Sequence, residues 1–215
     1  MKDIPSPQVE KDYYIQRKYN SLKRFISYYY QLSTIQDLDP ETVLEIGSGV
    51  NIVADLLKKS GVSVKVSDID PQVQPDILAD VRDLPCEDSS FDMVVAFQIL
   101  EHLPFEDFEK ALGELHRVSN KHVVISLPYK STGFEMVFSH PLIRSIFRKD
   151  FFDISIRMPL KFHGFEKSGQ HYWEIDSRSF RLRKIEKILN KKFLIKKSFS
   201  PVLNKFHYFF ILEKK

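Results

Sequence analysis

The sequence predicts an α/β protein built on an open, mostly parallel sheet. Short apolar runs alternate with segments whose apolar residues recur every three or four positions, which is the rhythm of strands that alternate with helices. The run DMVVAF at residues 92–97 is apolar on both faces, as is typical of a strand inside a parallel sheet. With 215 residues, the chain has the size of one domain.

The first half of the chain is predicted to begin with a helix and to continue with strands. Apolar residues at alternating spacings of four and three indicate an amphipathic N-terminal helix. Valines and isoleucines mark the strands that follow, and Gly61 is a typical helix stop. The expected elements are a helix at residues 9–35, a strand at 42–46, a helix at 52–59, and strands at about 62–67, 77–80 and 91–97.

The second half continues the rhythm, breaks it, and then resumes it. A helix at about 105–118 and a strand at 122–127 come first, and a helix at about 177–190 follows much later. The two last segments, 193–199 and 205–212, are joined by the short loop SPVLN, which favours an antiparallel pair.

The intervening residues 129–175 are rich in phenylalanine. We expect a partly helical insertion that packs over the carboxyl edge of the sheet. A hydrophobic lid that excludes water is the more economical interpretation. Its cations, Arg144, Arg148 and Lys149, also allow contact with a membrane or with a lipid-linked substrate.

Composition favours a globular cytoplasmic protein. The chain is 43% hydrophobic and 28% charged, and no run approaches the roughly 18 apolar residues of a membrane span. The N-terminal sequence MKDIPSPQVEKDYY lacks the apolar region of a signal peptide. The single cysteine, Cys86, excludes an internal disulfide and a cysteine zinc site, and we interpret it as a small hydrophobe. No metal site is predicted.

Positive charge is concentrated at residues 178–197, which carry nine lysines and arginines against a single glutamate, Glu186. Such a segment could meet an anionic substrate, nucleic acid or a lipid surface. The simpler interpretation is the solvated face of a helix.

The ends of the predicted strands carry the residues that indicate a ligand site. Ligands of open α/β sheets bind outside the carboxyl ends of the strands. Gly47 and Gly49 follow the first strand and allow a ligand to approach the backbone closely. Asp68 lies 21 positions beyond Gly47, which matches the spacing of an acid that binds a ribose diol. Asp80, after the third strand, could accept a hydrogen bond from an adenine amino group.

Glycines and Asp68 alone would also fit a nicotinamide enzyme, but two features of the loop argue against it. Ile52 stands where a dinucleotide loop has its third glycine. Glu45 precedes the loop and would repel a pyrophosphate, whereas it could orient loop amides or interact with a cationic ligand. A charge at the strand end that pairs with a lysine remains the alternative for Glu45.

Four segments in this order resemble the motifs of class I S-adenosylmethionine-dependent methyltransferases, and more narrowly the group called type 11. They are VLEIGSGVN, VKVSDIDP, ILADVRDLPCEDSSFDMVVAFQILEHLP and ELHRVSNKHVVISLP, and together they span about residues 42–128. The resemblance implies a Rossmann-like, mostly parallel seven-stranded sheet with an antiparallel final strand and helices on both faces. It also implies S-adenosylmethionine as cofactor and S-adenosylhomocysteine as product.

The order of elements along the chain, together with the extent of the resemblance, predicts a division of the single domain. Residues 1–40 would form an N-terminal helical cap, 41–128 the cofactor-binding half, 129–175 the insertion or lid, and 176–215 the C-terminal helix and hairpin.

The same resemblance assigns cofactor contacts by position. The first motif contacts the methionine part, the acid after the second strand binds the ribose with an apolar neighbour on the adenine, and the third strand end reads the adenine edge. The segment after the fourth strand lines the methyl donor. The residues at these positions are Glu45, Gly47, Ser48, Gly49, Asp68, Ile69, Asp80, Val81, Phe97, Gln98 and Leu100.

Two departures from the family pattern bear on these assignments. Asn51 replaces the last glycine of the first motif, which is tolerable where a helix starts. Only 12 positions separate Asp68 from Asp80, with Pro71 and Pro75 between them, so the connection between the second and third strands is expected to be a short loop rather than a helix.

Two histidines are candidate catalytic bases for a hydroxyl acceptor. His102 follows the fourth strand near the expected methyl position, although it could instead pack or cap at the start of a helix. His171 lies in the polar and aromatic cluster GQHYWEID, which indicates a substrate wall or, equally, a packed connector anchored by Trp173.

The sequence therefore predicts a methyltransferase whose acceptor is a small molecule, including sugars and lipid-linked compounds. A nucleic-acid methyltransferase that uses residues 178–197 and a binding protein without turnover remain alternatives. The oligomeric state is not predicted.

Overall fold

The computed structural model describes residues 21–130, 132–140, 145–147, 151–158, 171–177 and 179–215. Residues 9–20 of the predicted N-terminal helix lie outside these ranges. The remaining part forms helix α1, which begins after the N-cap Ser21, whose hydroxyl accepts a hydrogen bond from the backbone N–H of Arg24.

The described elements follow the predicted order closely. The helices are α1 (Leu22–Asp37), α2 (Ile52–Lys59), α3 (Phe108–Val118) and α4 (Leu182–Leu189). The strands are β1 (Thr42–Ile46), β2 (Ser63–Asp68), β3 (Ile77–Leu78), β4 (Phe91–Phe97), β5 (Ser119–Pro128), β6 (Thr132–Phe138), β7 (Phe152–Met158), β8 (Phe193–Phe199) and β9 (His207–Lys214).

Seven strands form one sheet in the order β3-β2-β1-β4-β5-β9-β8. Strands β1 to β5 pair in parallel, whereas β9 runs antiparallel to both β5 and β8. The final strand is therefore the antiparallel one, and the predicted Rossmann-like sheet is confirmed. The chain order reverses between β1 and β4, which is where a ligand crevice is expected in such a sheet.

Each face of the sheet is covered by helices because alternate residues of the central strands point to opposite sides. On one face, Leu44 and Val94 belong to a buried cluster that includes residues of α3 and α4. On the other, Val43 and Val95 belong to a cluster that includes residues of α1 and α2. The double cover explains why β4 is apolar on both faces.

The connection between β2 and β3 is short, as expected. It contains only a 3-10 turn at Pro71–Val73, which begins after Asp70. The Asp70 side chain accepts a hydrogen bond from the backbone N–H of Gln72 and so caps this turn. Strand β3 is itself reduced to two residues, shorter than the predicted 77–80.

The expectation of a partly helical insertion at 129–175 is mostly wrong for the described residues. Strands β6 and β7 form an antiparallel hairpin that is a separate two-stranded sheet, and only residues 145–147 are helical. The alternating pattern of FEMVF and FDISI was a strand signal that the abundance of phenylalanine concealed.

The hairpin β6–β7 presents its apolar side to solvent. Three cross-strand pairs on that side join residues that are 36–72% exposed, namely Phe134 with Ile156, Met136 with Ile154, and Phe138 with Phe152. The opposite side carries Glu135 and Asp153, and both carboxylates form ion pairs with Lys205, at 3.0 and 2.9 Å. The polar side is thus tied to the loop that precedes β9.

The helices are too short or too polar to span a membrane. Within the described parts of the chain, none combines the length and the apolar character that crossing a bilayer requires.

Candidate active site

A cavity of about 1240 Å³ opens at the carboxyl ends of β1, β2, β3 and β4. Its wall also includes residues of α1, of the hairpin β6–β7 and of the start of β9. Of the residues predicted to bind cofactor or to act in catalysis, all but Leu100 line this cavity. The structure therefore brings together side chains that are far apart in the sequence.

The loop after β1 comes close to the segment after β4. Gly47 has a φ of +68°, and a Cβ atom on this residue would lie 2.1 Å from the Cδ1 atom of Ile99. Its N–H donates a 2.8 Å hydrogen bond to the carbonyl of Ser67. A residue without a side chain is therefore required at position 47, for both conformation and space.

Helix α2 begins directly after this loop. Asn51, which replaces the last glycine of the motif, has a φ of +60° as the N-cap of α2, a conformation that asparagine tolerates better than most residues. Its side chain is hydrogen-bonded to the Ser48 hydroxyl. The departure from the family pattern is thus accommodated within the loop.

Glu45 is a buried acid at the end of β1. Its side chain lines the cavity although the residue is only 5% exposed, and its Oε2 atom has no hydrogen-bond partner among the described residues. Burial raises the pKa of Glu45 to about 7. The alternative of a strand-end charge paired with a lysine is not observed in the described part of the chain, and the unsatisfied oxygen is available to a cationic ligand.

Asp68 ends β2 and faces the same cavity. Its Oδ1 atom accepts a 2.9 Å hydrogen bond from the backbone N–H of Asp70. Burial raises its pKa, and hydrogen bonds from the backbone oppose the effect. The side chain is therefore held in one orientation, and Ile69 lies beside it in the cavity wall.

Asp80 is placed at the cavity, but its carboxylate is already engaged. The Arg82 side chain donates to both oxygens at 2.6–3.1 Å, and the Arg82 N–H donates to Oδ1. Burial alone would raise the pKa of Asp80, but the hydrogen bonds and charge of Arg82 lower it. Since a carboxylate accepts about four hydrogen bonds, Asp80 has little capacity left for an adenine amino group. Val81 also lines the cavity, and its apolar side chain is not held by an ion pair as that of Asp80 is.

The end of β4 contributes Phe97 and Gln98. The Phe97 ring packs against Phe209 of β9 at a centroid distance of 5.8 Å. Gln98 has a φ of +57°, and its N–H donates to the carbonyl of Ser126. A left-handed conformation at a residue other than glycine is costly, and such residues cluster at functional sites.

Leu100 differs from its predicted placement. It is fully buried in the hydrophobic core and does not line the cavity. The neighbouring Glu101 is fully buried as well, and neither of its carboxylate oxygens is hydrogen-bonded to another described residue. Burial raises the pKa of Glu101 to about 8, the residue's own backbone N–H opposes this rise, and the negative charge of Glu174 adds to it. Sequence reasoning missed this acid because it lies next to the more conspicuous His102.

The two candidate catalytic histidines meet in the cavity wall. The ring centroids of His102 and His171 lie 5.0 Å apart with the rings nearly perpendicular. The Nδ1 atom of His171 is 2.8 Å from an oxygen of Glu174. The backbone N–H of Tyr172 donates to the carbonyl of Glu101, which fixes the two segments against each other.

Trp173 anchors this second segment beneath the cavity. It is 3% exposed, its ring packs edge-on against Phe105 and Phe108, and its indole N–H donates to the carbonyl of Leu103. The cluster therefore combines both interpretations of the sequence, since Trp173 packs in the core while His171 and Tyr172 line the cavity.

The profile of a methyltransferase domain family matches residues 13–184 of the sequence. The chain belongs to this methyltransferase family. No curated protein sequence matches it.

The fold of the methyltransferase is shared by solved structures of low sequence identity. A SAM-dependent methyltransferase from Aquifex aeolicus is 12% identical, with a TM-score of 0.60 over 97% of this chain and 100% of that one. The magnesium protoporphyrin IX methyltransferase of Synechocystis PCC 6803, solved with bound SAH, is 17% identical, with a TM-score of 0.57 over 98% and 90%.

A third similar structure is the 1,6-didemethyltoxoflavin-N1-methyltransferase of Burkholderia thailandensis, with bound 1,6-didemethyltoxoflavin and S-adenosylhomocysteine. It is 13% identical, with a TM-score of 0.53 over 99% of this chain and 93% of that one.

The methyltransferase has cavity residues that sequence reasoning missed. His207 lines the cavity, and its Nδ1 atom lies 2.8 Å from the Ser27 hydroxyl of α1. Burial lowers the pKa of His207 to about 4, so the ring is neutral at physiological pH. No local motif marked this pair, because β9 and α1 lie at opposite ends of the chain.

The basic segment of the methyltransferase does not border the cavity in the described structure. Lys191 and Lys196 form ion pairs with Glu109 and Glu213, and the ammonium group of Lys184 lies 4.5 Å from the centre of the Phe105 ring. These contacts agree with the simpler interpretation of a solvated helix face, some of whose lysines pair with neighbouring side chains.

Proposed function

We propose that this methyltransferase transfers the methyl group of S-adenosylmethionine to a small-molecule acceptor that binds beside His102 and His171. The observation that carries the proposal is one cavity whose lining combines two chemically distinct groups of residues. We call the buried acid Glu45 with the loop at Gly47 the donor end, and the two imidazoles the acceptor end.

The residues at the first end suit S-adenosylmethionine. The unsatisfied oxygen of Glu45 can accept a hydrogen bond from the cationic amino group of the methionine part. Gly47 and Gly49 leave the loop backbone accessible, and Asp68 can accept hydrogen bonds from both ribose hydroxyls. Ser48, Ile69, Val81, Phe97 and Gln98 complete the proposed cofactor contacts. We give Asp80 a supporting role through Arg82 instead of a direct contact with adenine.

Catalysis by the protein rests mainly on position. When bound, S-adenosylmethionine supplies a methyl group already activated on a positive sulfur, and S-adenosylhomocysteine remains after transfer. The protein needs to hold the acceptor atom in line with that methyl group and to limit access of water. If the acceptor is a hydroxyl, its proton must also leave, and His102 lies where it can take that proton, with His171 as the second candidate.

The acceptor end is bounded by walls of mixed polar and apolar character. The hairpin residues Phe134 and Ile156 and the α1 residue Tyr28 line the same cavity, so it can accept an apolar or aromatic compound. Two of the similar structures are named for small molecules, magnesium protoporphyrin IX and 1,6-didemethyltoxoflavin. These walls support a small or lipid- or sugar-linked acceptor, and we place residues 129–175 as the lid and residues 1–40 as the cap of this site. The single cysteine supports a reducing, cytoplasmic location.

Calorimetry tests the donor half of the proposal. We expect S-adenosylmethionine and S-adenosylhomocysteine to bind the full chain with one site each, and Asp68→Ala to weaken both at least tenfold through the lost ribose contacts, at about 1.4 kcal/mol per factor of ten. Absence of binding to either compound would overturn the proposal. The acceptor is sought by incubating the protein with labelled donor and cell extract, and binding without any methyl transfer would instead indicate a protein without turnover.

A further inference from the structure

Three potential metal ligands converge at the acceptor end of the cavity. Glu101 and His102 lie in one 3-10 turn after β4, and His171 comes from the distant segment before α4. One ligand atom from each of the three residues can be chosen so that all lie within 4.8 Å of one another. Two imidazoles and a carboxylate form a donor set typical of zinc, manganese and iron sites.

Glu101 is the observation that separates this cluster from a chance grouping. The residue is 0% exposed, and neither of its carboxylate oxygens is hydrogen-bonded to another described residue. An unsatisfied buried carboxyl group is destabilising, so it is retained only where something compensates for it. A cation between Glu101 and the two imidazoles would satisfy it.

His171 is also oriented as a ligand would be. Glu174 lies 2.8 Å from its Nδ1 atom and therefore favours a proton on that nitrogen. The Nε2 atom is then left with its lone pair available. Histidine ligands of metal sites usually donate their second N–H to a carboxylate in this way, which fixes the ring and its tautomer.

We propose that Glu101, His102 and His171 bind a divalent transition-metal ion, with Glu174 as the positioning residue for His171. In a tetrahedral site with bonds of about 2.1 Å, two ligand atoms are about 3.4 Å apart. The three ligand atoms lie within 4.8 Å of one another, so ion binding would draw them inward by up to about 1.4 Å through side-chain rotation. Three protein ligands leave at least one coordination position for another molecule.

This proposal rests on the proposed function for its use in catalysis. His102 and His171 line the cavity, so an ion that they bind would be accessible to an acceptor in that cavity. An acceptor oxygen bound there would release its proton more readily, because the positive ion stabilises the oxyanion. The proton would leave to solvent through the cavity, the oxygen would attack the methyl carbon of the bound donor, and the electron pair of the broken carbon–sulfur bond would stay on sulfur. His102 then serves as a ligand instead of a proton acceptor.

Metal binding is tested on the full chain in the absence of any methyl donor. The protein is stripped with EDTA and titrated with Co²⁺, whose visible absorption reports its coordination, and Zn²⁺ is then added as a competitor. We expect one Co²⁺ per chain, displaced by Zn²⁺. Glu101→Gln and His171→Ala should each weaken binding by about a hundredfold or more, since they remove a ligand.

A gentler variant keeps the result interpretable if a ligand variant fails to fold. Glu174→Gln leaves all three ligands in place and should weaken Co²⁺ binding roughly 10–100-fold, as expected for the loss of an orienting carboxylate. His116→Gln is the matched control, because the His116 ring packs on Phe193 away from the cavity, and it should bind Co²⁺ like the wild type. The metal site would be overturned if the wild type bound Co²⁺ no more tightly than His171→Ala does. It would also be overturned if Glu101→Gln bound Co²⁺ as tightly as the wild type.

The failure of this inference can be told from the failure of the proposed function. The same preparations are titrated with S-adenosylhomocysteine by calorimetry. Binding of S-adenosylhomocysteine without Co²⁺ binding contradicts the metal site and leaves the methyltransferase function intact, with His102 as proton acceptor. If the protein binds Co²⁺ but binds neither S-adenosylmethionine nor S-adenosylhomocysteine, the result supports the metal site and contradicts the proposed function.

Discussion

Gly47 and Ile99 are in such close contact that a Cβ atom on the glycine would lie 2.1 Å from the Cδ1 atom of Ile99. Gly47 belongs to the loop after β1, and Ile99 directly precedes the 3-10 turn that carries Glu101 and His102. The proposed cofactor loop and the proposed acceptor end are therefore packed against each other at this point. A substitution in the cofactor loop should therefore also affect the segment that carries Glu101 and His102.

Gly47→Ala should reduce both stability and cofactor affinity. The new methyl group overlaps Ile99, and an L-residue at a φ of +68° is strained, so we expect a loss of about 2–4 kcal/mol in the free energy of unfolding. We expect S-adenosylhomocysteine to bind at least tenfold more weakly, at about 1.4 kcal/mol per factor of ten, because the loop must move. Denaturant unfolding and calorimetry measure the two effects.

Two further variants separate strain from overlap. Gly61→Ala introduces a side chain at a φ of +92° with no heavy atom within 4 Å, so it reports backbone strain alone. Ile99→Ala combined with Gly47→Ala removes the overlap and should recover part of the lost cofactor affinity. If Gly61→Ala and Gly47→Ala cost the same stability, the contact with Ile99 is not the cause.

Glu45 should make stability depend on pH in an unusual direction. Burial raises its folded-state pKa from 4.5 to about 7, so the folded protein retains a proton that the unfolded chain releases. The contribution of this proton to the free energy of unfolding is fully present below pH 4.5 and is lost as the pH rises through about 7. A difference of one pH unit between the folded and unfolded pKa corresponds to about 1.4 kcal/mol, so the whole effect is about 3 kcal/mol.

Glu45→Gln should remove this dependence. Urea unfolding of both proteins at about pH 5 and pH 8 measures it, and we expect the variant to gain up to about 3 kcal/mol relative to the wild type between the two values. The variant should nonetheless bind S-adenosylmethionine more weakly at the higher pH, because the negative charge proposed to meet the amino group is gone. A stability difference that is the same at both pH values would contradict the raised pKa.

Local patterns predicted the regular part of the fold well. Strand β1, helix α2 and strand β4 have the predicted bounds, because a buried parallel strand and an amphipathic helix are each marked by their own apolar spacing. The hairpin β6–β7 was not predicted, because its alternating apolar residues lie within a segment rich in phenylalanine throughout. Its apolar side also faces solvent, against the usual rule.

The candidate site was predictable where a single strand end defines it and not where distant segments meet. Glu45, Gly47 and Asp68 lie at strand ends and line the cavity, and they were predicted from their spacing, their chemistry and the resemblance to the methyltransferase motifs. The engagement of Asp80 by Arg82, the burial of Glu101 and the contact of His102 with His171 depend on tertiary structure. No local pattern reports such contacts.

Asp80 and Asp68 should respond differently to substitution. Because Asp80 binds Arg82, which in turn binds Asp107 at 2.5 Å, Asp80→Ala breaks a partly buried network and should cost about 2 kcal/mol of stability. Its effect on S-adenosylhomocysteine affinity should be smaller than that of Asp68→Ala. Asp107→Ala is the matched control, since it frees the other side of Arg82. Should Asp80→Ala weaken cofactor binding as much as Asp68→Ala, Asp80 contacts the adenine after all.

Lys205 should control the acceptor and not the cofactor. Its ammonium group pairs with Glu135 and Asp153 and thereby ties the hairpin β6–β7 to the loop before β9. Lys205→Met removes both ion pairs, while Glu135 keeps its hydrogen bonds from the Leu203 N–H. We expect the lost pairs to loosen the hairpin and to raise the KM for an identified acceptor roughly tenfold, equivalent to about 1.4 kcal/mol. The affinity for S-adenosylhomocysteine should stay within about twofold of the wild type, since the donor end lies at β1 and β2.

Lys196→Met, which breaks an exposed pair with Glu213, is the control and should change neither value. Equal losses of acceptor and cofactor binding in Lys205→Met would show that the hairpin supports the whole cavity and does not act as a wall of the acceptor site.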